Sequence, residues 1–200
     1  MSKFYLEKPT LKRKEEAIEY VKEHIEYKSD IHGQASLEKY CDNYEGWLER
    51  LEQISNPETC PPNYVSGDEY FLIRKDDDKI IGMINVRHEL NDFLLQYGGH
   101  IGYGTRPTER RKGYNKISLY LGLLKSKELG LDRVLITATD ENPGSYKSIL
   151  ALGGVLENKI PDDEDENILL GRYWIDVDKS LEEYYDTYKE YIETNNKKVR

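Results

Sequence analysis

His100-Ile101-Gly102-Tyr103-Gly104-Thr105-Arg106-Pro107-Thr108-Glu109-Arg110-Arg111-Lys112-Gly113-Tyr114-Asn115, followed by Lys116-Ile117-Ser118-Leu119-Tyr120-Leu121-Gly122-Leu123-Leu124, is the stretch on which the fold turns. It predicts a short strand stopped by Pro107, a basic turn, and a helix whose apolar face includes Ile117, Leu121 and Leu124. Arg110, Arg111 and Lys112 then crowd the first turn of that helix, where the macrodipole and the free N–H groups already present positive charge. Such a cluster repels itself unless an anion sits there. A phosphate or diphosphate would relieve it, with Gly113 allowing close approach of the backbone. On this stretch alone a solvated basic turn fits as well.

Outward from this stretch, composition narrows the class. The chain of 200 residues suits one domain, which at that size buries roughly 70% of its surface. Hydrophobic residues make up 38%, arranged in periodic segments that disordered chains lack. Residues 1 to 25 hold many charges and no apolar run of signal-peptide or membrane-span length, so the expectation is a soluble cytoplasmic protein. Cys41 and Cys60 have no metal-like spacing and are expected to be free thiols, and no metal site is expected. The net charge of -9 argues against nucleic-acid or anionic-membrane partners. Against that background, residues 106 to 116 carry five basic side chains and one acidic one, a local anion site.

In chain order, residues 3 to 7 read as an opening strand before Pro9. Thr10 is the expected N-cap of a helix to about Tyr27, with Ala17, Ile18, Val21 and Ile25 on its buried face. A second helix is expected from Ser36 to Gln53, with Leu37, Tyr40, Tyr44, Trp47, Leu48 and Leu51 inward. A loop follows, and residues 70 to 74 and 79 to 87 form a hairpin. Beyond the basic-turn helix, Gly130 ends the helix and residues 133 to 139 read as a buried strand. Asn142 then caps a helix with Pro143 at its first position, closing at Gly153-Gly154. Residues 155 to 159 and 168 to 175 make a second hairpin. A last helix is expected from Ser180 to about Glu193, opened by a Ser180/Glu183 capping box. Its stripe of Leu181, Tyr184, Tyr185, Tyr188, Tyr191 and Ile192 would pack on the domain or on a second subunit, so a homodimer is possible. The tail from Asn195 is expected to fray.

This order of elements resembles the GNAT superfamily of acetyl-CoA-dependent N-acetyltransferases over roughly residues 3 to 176. The family's turn, Gln or Arg, two residues, Gly, one residue, Gly or Ala, is matched by Arg110-Arg111-Lys112-Gly113-Tyr114-Asn115 except at the last position. The segment 142 to 153 is similar to the family's Asn-led helix. The resemblance implies an α+β fold: a central, mostly antiparallel twisted sheet, splayed between its fourth and fifth strands and flanked by helices. Residues 1 to 176 would be the N-acetyltransferase domain, and 177 to 200 a C-terminal amphipathic helix and tail. It also implies acetyl-CoA as co-substrate and a small-molecule or peptide amine as acceptor. Acetyl transfer would then be direct, within a ternary complex.

Coenzyme A carries phosphates that call for amide donors and cations such as those of Arg110, Arg111, Lys112, Gly113, Tyr114 and Asn115. The resemblance assigns the pantetheine arm and thioester carbonyl to backbone around Tyr103, Gly104 and Thr105, and Asn142 and Ser145 are further cofactor-binding candidates. Asn115 stands where the family has a small residue, and would either crowd the diphosphate or donate to it. Ile149 stands at the frequent position of a Tyr general acid, so Tyr146, one turn earlier, is the substitute candidate. The alternative acid is water. For the base, His100 begins the central strand, and His88 and Glu89 end the strand before it. Two readings compete with the enzyme. A dinucleotide site would use Gly102 and Gly104, but Pro107 replaces the third glycine. A catalytically weak acyl-CoA-binding regulatory module would keep the turn and lack the acid.

Overall fold

A computed structural model describes residues 2–193. Seven strands and five α-helices follow in the order β1 Phe4–Glu7, α1 Lys14–Glu26, α2 Tyr44–Ser55, β2 Gly67–Arg74, β3 Lys79–Arg87, β4 Ile101–Thr105, α3 Tyr114–Glu128, β5 Arg133–Thr139, α4 Pro143–Leu150, β6 Val155–Pro161, β7 Leu169–Asp176 and α5 Val177–Tyr188. Strands β1-β2-β3-β4 form one antiparallel sheet and β5-β7-β6 a second. The expected splay therefore falls between the fourth and fifth strands.

The first sheet is buried on both faces, and strand alternation sorts its side chains. Tyr70 and Leu72 of β2 join Ile117, Leu121 and Tyr120 of α3 in one core, while Phe71 and Ile73 join Ala17, Tyr20, Tyr44 and Trp47 of α1 and α2 in the other. On β3 the spacing changes: Ile80 and Met83 face α1 and α2, whereas Ile81 and Ile84 face α3. A bulge explains this, because Ile73 pairs with Ile80 and Leu72 with Gly82, leaving Ile81 as the extra residue.

Four expectations about the helices are corrected. Thr10 makes no cap hydrogen bond, and a 3-10 turn at Leu11–Arg13 precedes α1. The buried stripe of α1 is Ala17, Tyr20, Val21 and His24, while Ile25 is 66% exposed. His24 enters the core because its Nδ1 meets the Tyr20 carbonyl at 2.9 Å and its ring packs on Tyr20. Residues 36 to 53 do not form one helix. Ser36 has φ 66°, incompatible with a helix start, so a 3-10 turn at Leu37–Tyr40 is followed by α2, whose cap is Asn43 accepting from Gly46 N at 3.2 Å. The last helix starts earlier than Ser180: Asp176 accepts from Lys179 N at 2.9 Å, and Ser180 instead donates to the Leu152 carbonyl at 2.8 Å. Leu181, Tyr188 and Ile192 are buried in this chain's own core, with Tyr184 and Tyr191 packed against it, while Tyr185 points to solvent. The tail from Asn195 lies outside the described residues. Among those residues no helix is long and apolar enough to cross a membrane.

Candidate active site

Strands β4 and β5 meet at one point. His100 N donates to the Leu135 carbonyl at 2.7 Å, and Leu135 N donates to His100 Nδ1 at 2.9 Å. No ladder joins them beyond it, so their facing edges keep backbone donors and acceptors available for a ligand. His100 is 7% exposed, with Trp174 edge-on to its ring. Burial, helped by the Arg87 charge, lowers His100 to about 4. Its ring is therefore neutral at pH 7, its proton on Nε2 and its Nδ1 lone pair engaged. Sequence reasoning offered His100 as a base; the structure places it as the bolt between the two sheets.

At the far end of β4 stands the basic turn. It differs from the sequence expectation, because three of its five cations have hydrogen-bond partners within the protein, two of them carboxylates. Arg106, 1% exposed, pairs with Glu23 at 2.9 Å. Arg110 donates to the Thr105 carbonyl at 3.1 Å and to the Ser29 hydroxyl at 2.7 Å. Lys112 pairs at 2.8 Å with Glu109, which also accepts from Arg74 at 2.9 Å. Burial pushes the Glu109 carboxyl up, but the hydrogen bonds from Arg74 and Lys112 outweigh it and hold it below its ordinary value. Arg111 and Lys116 stay exposed and form no ion pair among the described residues. The N–H groups of residues 111 to 115 likewise donate to no backbone oxygen there. Gly113, at φ 85°, caps α3 from the left-handed region, and a Cβ built on it meets nothing within 4 Å. A row of unused amides, a free guanidinium and open space beside Gly113 suit a phosphate group.

Helix α4 forms the opposite wall. Asn142 caps it by accepting from Ser145 N at 3.1 Å. Tyr103 reaches from β4 towards α4, its hydroxyl 3.3 Å from both the carbonyl and the hydroxyl of Ser145. Asn115 turns its side chain inward: its Oδ1 accepts from the Thr105 hydroxyl at 2.6 Å, and its Nδ2 lies 3.4 Å from the Gly144 carbonyl. Ile149 is fully buried, and Tyr146 is half-buried, its hydroxyl without a hydrogen-bond partner among the described residues.

The α1–α2 loop covers the other face of β4. At Gly33 (φ 68°), a built Cβ would lie 2.6 Å from the Gly102 carbonyl, so the loop backbone lies directly on the strand. His88 is drawn away from it, its Nε2 3.1 Å from Asp68, and Glu89 is exposed. Sequence reasoning missed two buried groups on this side. The Tyr20 hydroxyl and both oxygens of Glu69 are buried without partners. Glu69 went unnoticed because the acidic pair Asp68-Glu69 reads as loop, whereas β2 begins at Gly67. Cys41 and Cys60 are free, and burial pushes both thiols up, away from the nucleophilic thiolate.

The sequence profile described as the acetyltransferase (GNAT) family matches residues 30–153. The chain belongs to that family. It is an acetyl-CoA-dependent acyltransferase. No curated protein sequence matches the chain. Solved structures share the fold at low identity. RimJ of Mycobacterium smegmatis, in complex with CoA-disulfide, has a TM-score of 0.69 at 11% identity, covering 92% of this chain and 88% of its own. The ribosomal-protein-S5-alanine acetyltransferase of Vibrio fischeri gives 0.63 at 15%, covering 89% and 97%. The Microcin C7 self-immunity acetyltransferase MccE, with acetyl-CoA and AMP, gives 0.61 at 21%, covering 86% and 92%.

Proposed function

We propose that the protein moves an acetyl group from acetyl-CoA directly to a primary amine of a small molecule or peptide, both substrates being bound together. The observation that carries this reading is the pairing of an unladdered β4–β5 wedge with a row of unused amides at the α3 N-terminus. The amides of residues 111 to 115 and the Arg111 guanidinium hold the phosphates, and the free edge of β4 at Tyr103, Gly104 and Thr105 takes the pantetheine amides and the thioester carbonyl. The neutral amine attacks the acetyl carbon, the new C–N bond forms as the C–S bond breaks, and Tyr146 gives the departing thiolate its proton. Arg110, Lys112 and Asn115 shape the turn, and Asn142, Ser145 and Tyr103 hold its opposite wall. His100 fixes where the strands part. His88, held by Asp68, and Glu89, exposed to solvent, do not serve as base; the acceptor loses its proton to solvent. The raised thiols of Cys41 and Cys60 speak against an acetyl-cysteine intermediate.

The test is thiol release from acetyl-CoA across a panel of primary amines. Turnover should rise with pH as the acceptor deprotonates, and Tyr146→Phe should lower kcat by about tenfold or more with acetyl-CoA affinity retained. Parallel double-reciprocal lines would contradict direct transfer. An unchanged kcat in the variant would give the proton to water, and tight acetyl-CoA binding without turnover on any amine would favour a binding module.

A further inference from the structure

The wedge between β4 and β5 has one closed end, and a single residue closes it. His100 is bonded on both sides. Its carbonyl accepts from Arg87 N of β3 at 2.8 Å, while its N–H donates to the Leu135 carbonyl at 2.7 Å and its Nδ1 accepts from Leu135 N at 2.9 Å. Leu135 in turn pairs with Trp174 of β7, whose ring stands edge-on to the imidazole. In a parallel ladder both bonds across the gap come from backbone. Here a side chain makes one of them, so the closure depends on the identity of the residue.

The surroundings hold this link in place. Gly99, at φ 65°, lies so close to β5 that a Cβ built on it would stand 2.5 Å from the Leu135 carbonyl. The Thr137 hydroxyl donates to the Tyr97 carbonyl at 2.8 Å, and the Arg87 guanidinium donates to the carbonyls of Gly98 and Gly99 at 3.2 and 2.8 Å. The end of the wedge is therefore backbone and hydrogen-bonded imidazole, without a flexible side chain that could swing aside for a longer guest. Opening it would leave Leu135 N, a buried donor, without an acceptor.

We propose that the His100–Leu135 link is a depth stop that limits the acyl chain of the thioester, admitting acetyl and excluding chains of butyryl length and longer. The proposal rests on the acetyl-CoA reading. With the diphosphate at the α3 turn, beyond Thr105, the pantetheine arm runs along β4 towards Ile101 and its acyl end faces the link. The five residues of β4 give the arm a track of about 16 Å, fixed at both ends. Each methylene added to the acyl group is then driven against atoms that cannot retreat, and a rigid wall discriminates by about tenfold or more on that basis. His100 is in this account a specificity-determining residue and takes no part in proton transfer.

The experiment is calorimetric titration of the full chain, without acceptor, with CoA, acetyl-CoA, butyryl-CoA and hexanoyl-CoA. CoA and acetyl-CoA should bind alike, and hexanoyl-CoA at least tenfold more weakly. His100→Ala should raise the affinity for hexanoyl-CoA relative to CoA at least fivefold, and His100→Asn, whose Oδ1 can accept from Leu135 N as Nδ1 does, should restore the discrimination. A general loosening of the fold would weaken all four ligands together and leave that ratio unmoved. Equal affinity for CoA and every acyl-CoA in the unaltered protein, or an unchanged ratio in a folded His100→Ala variant, overturns the stop while leaving the acetyl-CoA reading intact. Failure of CoA itself to bind removes that reading, and the stop with it. The profile of the unaltered protein decides the matter even if His100→Ala does not fold.

Discussion

The basic turn at 106–116 and the start of β2 treat charge in opposite ways. The turn displays five cations to a reader of the sequence, yet Arg106, Arg110 and Lys112 are met by Glu23, by Thr105 and Ser29, and by Glu109. What remains for a phosphate is mostly backbone: the amides of residues 111 to 115, with Arg111 beside them. The start of β2 shows nothing in the sequence beyond two acids, yet Glu69 is buried so deeply that Asn85 and the Arg87 charge do not offset its desolvation. A run of charge is therefore a poor guide to where binding capacity lies. The informative feature is the polar group that the fold leaves unmatched.

The comparison can be broken most severely at Glu109. If Glu109 anchors the turn, Glu109→Gln, which removes the shared partner of Arg74 and Lys112 while Arg74 keeps Asp77, should lower stability by about 1–2 kcal/mol, read from the shift in urea midpoint. A shift within error would mean that these ion pairs are exposed decoration. Next in size is the division of labour among the cations. Arg111→Glu should weaken acetyl-CoA binding about tenfold or more and make the residual affinity less sensitive to salt, whereas Lys112→Ala should change it little. Equal losses in both variants would return the turn to a simple cationic patch.

The smallest effect is on the pH dependence of stability, where His100 and Glu69 act with opposite sign. The folded-state value of His100 is lowered from 6.5 to about 4, so the stability it supports is present above pH 6.5 and is lost as pH falls towards 4. The folded-state value of Glu69 is raised above 4.5, so its support is present below that pH and is lost as pH rises through the raised value. Glu69→Gln should therefore flatten the alkaline side of the stability profile and leave the acid side alone. An unchanged alkaline limb in that variant would show that Glu69 already has a partner.

The order of strands and helices was legible because periodicity and punctuation agree: Pro107 stops β4, Gly113 and Gly130 bracket α3, and Asn142-Pro143 opens α4. The turn motif and the Asn-led helix carried the family. The helix misreadings come from polar side chains whose hydrogen-bond partners periodicity and cap spacing do not show, some local and some distant. His24 displaces Ile25 from the buried face of α1 because its ring nitrogen has a carbonyl to meet. Ser180 has the spacing of a cap, yet Leu152 takes its hydroxyl and Asp176 caps α5. His100, offered as a base, has its Nδ1 committed to Leu135, a partner that the sequence does not show. None of these partners is near in sequence except Tyr20 and Asp176. Glu69 was hidden for a related reason, since an acid at the edge of a strand reads as the end of a loop.

The central claim is that backbone amides at the start of α3, with Gly113 giving access to them, hold the phosphates of acetyl-CoA. Calorimetric titration of acetyl-CoA into the unaltered protein and into Gly113→Val tests it most directly. Valine at φ 85° puts a branched side chain into the open space beside those amides and strains the turn. The account predicts a variant that stays folded by circular dichroism and loses acetyl-CoA affinity by at least about tenfold. A folded Gly113→Val variant that binds acetyl-CoA as tightly as the unaltered protein would contradict it.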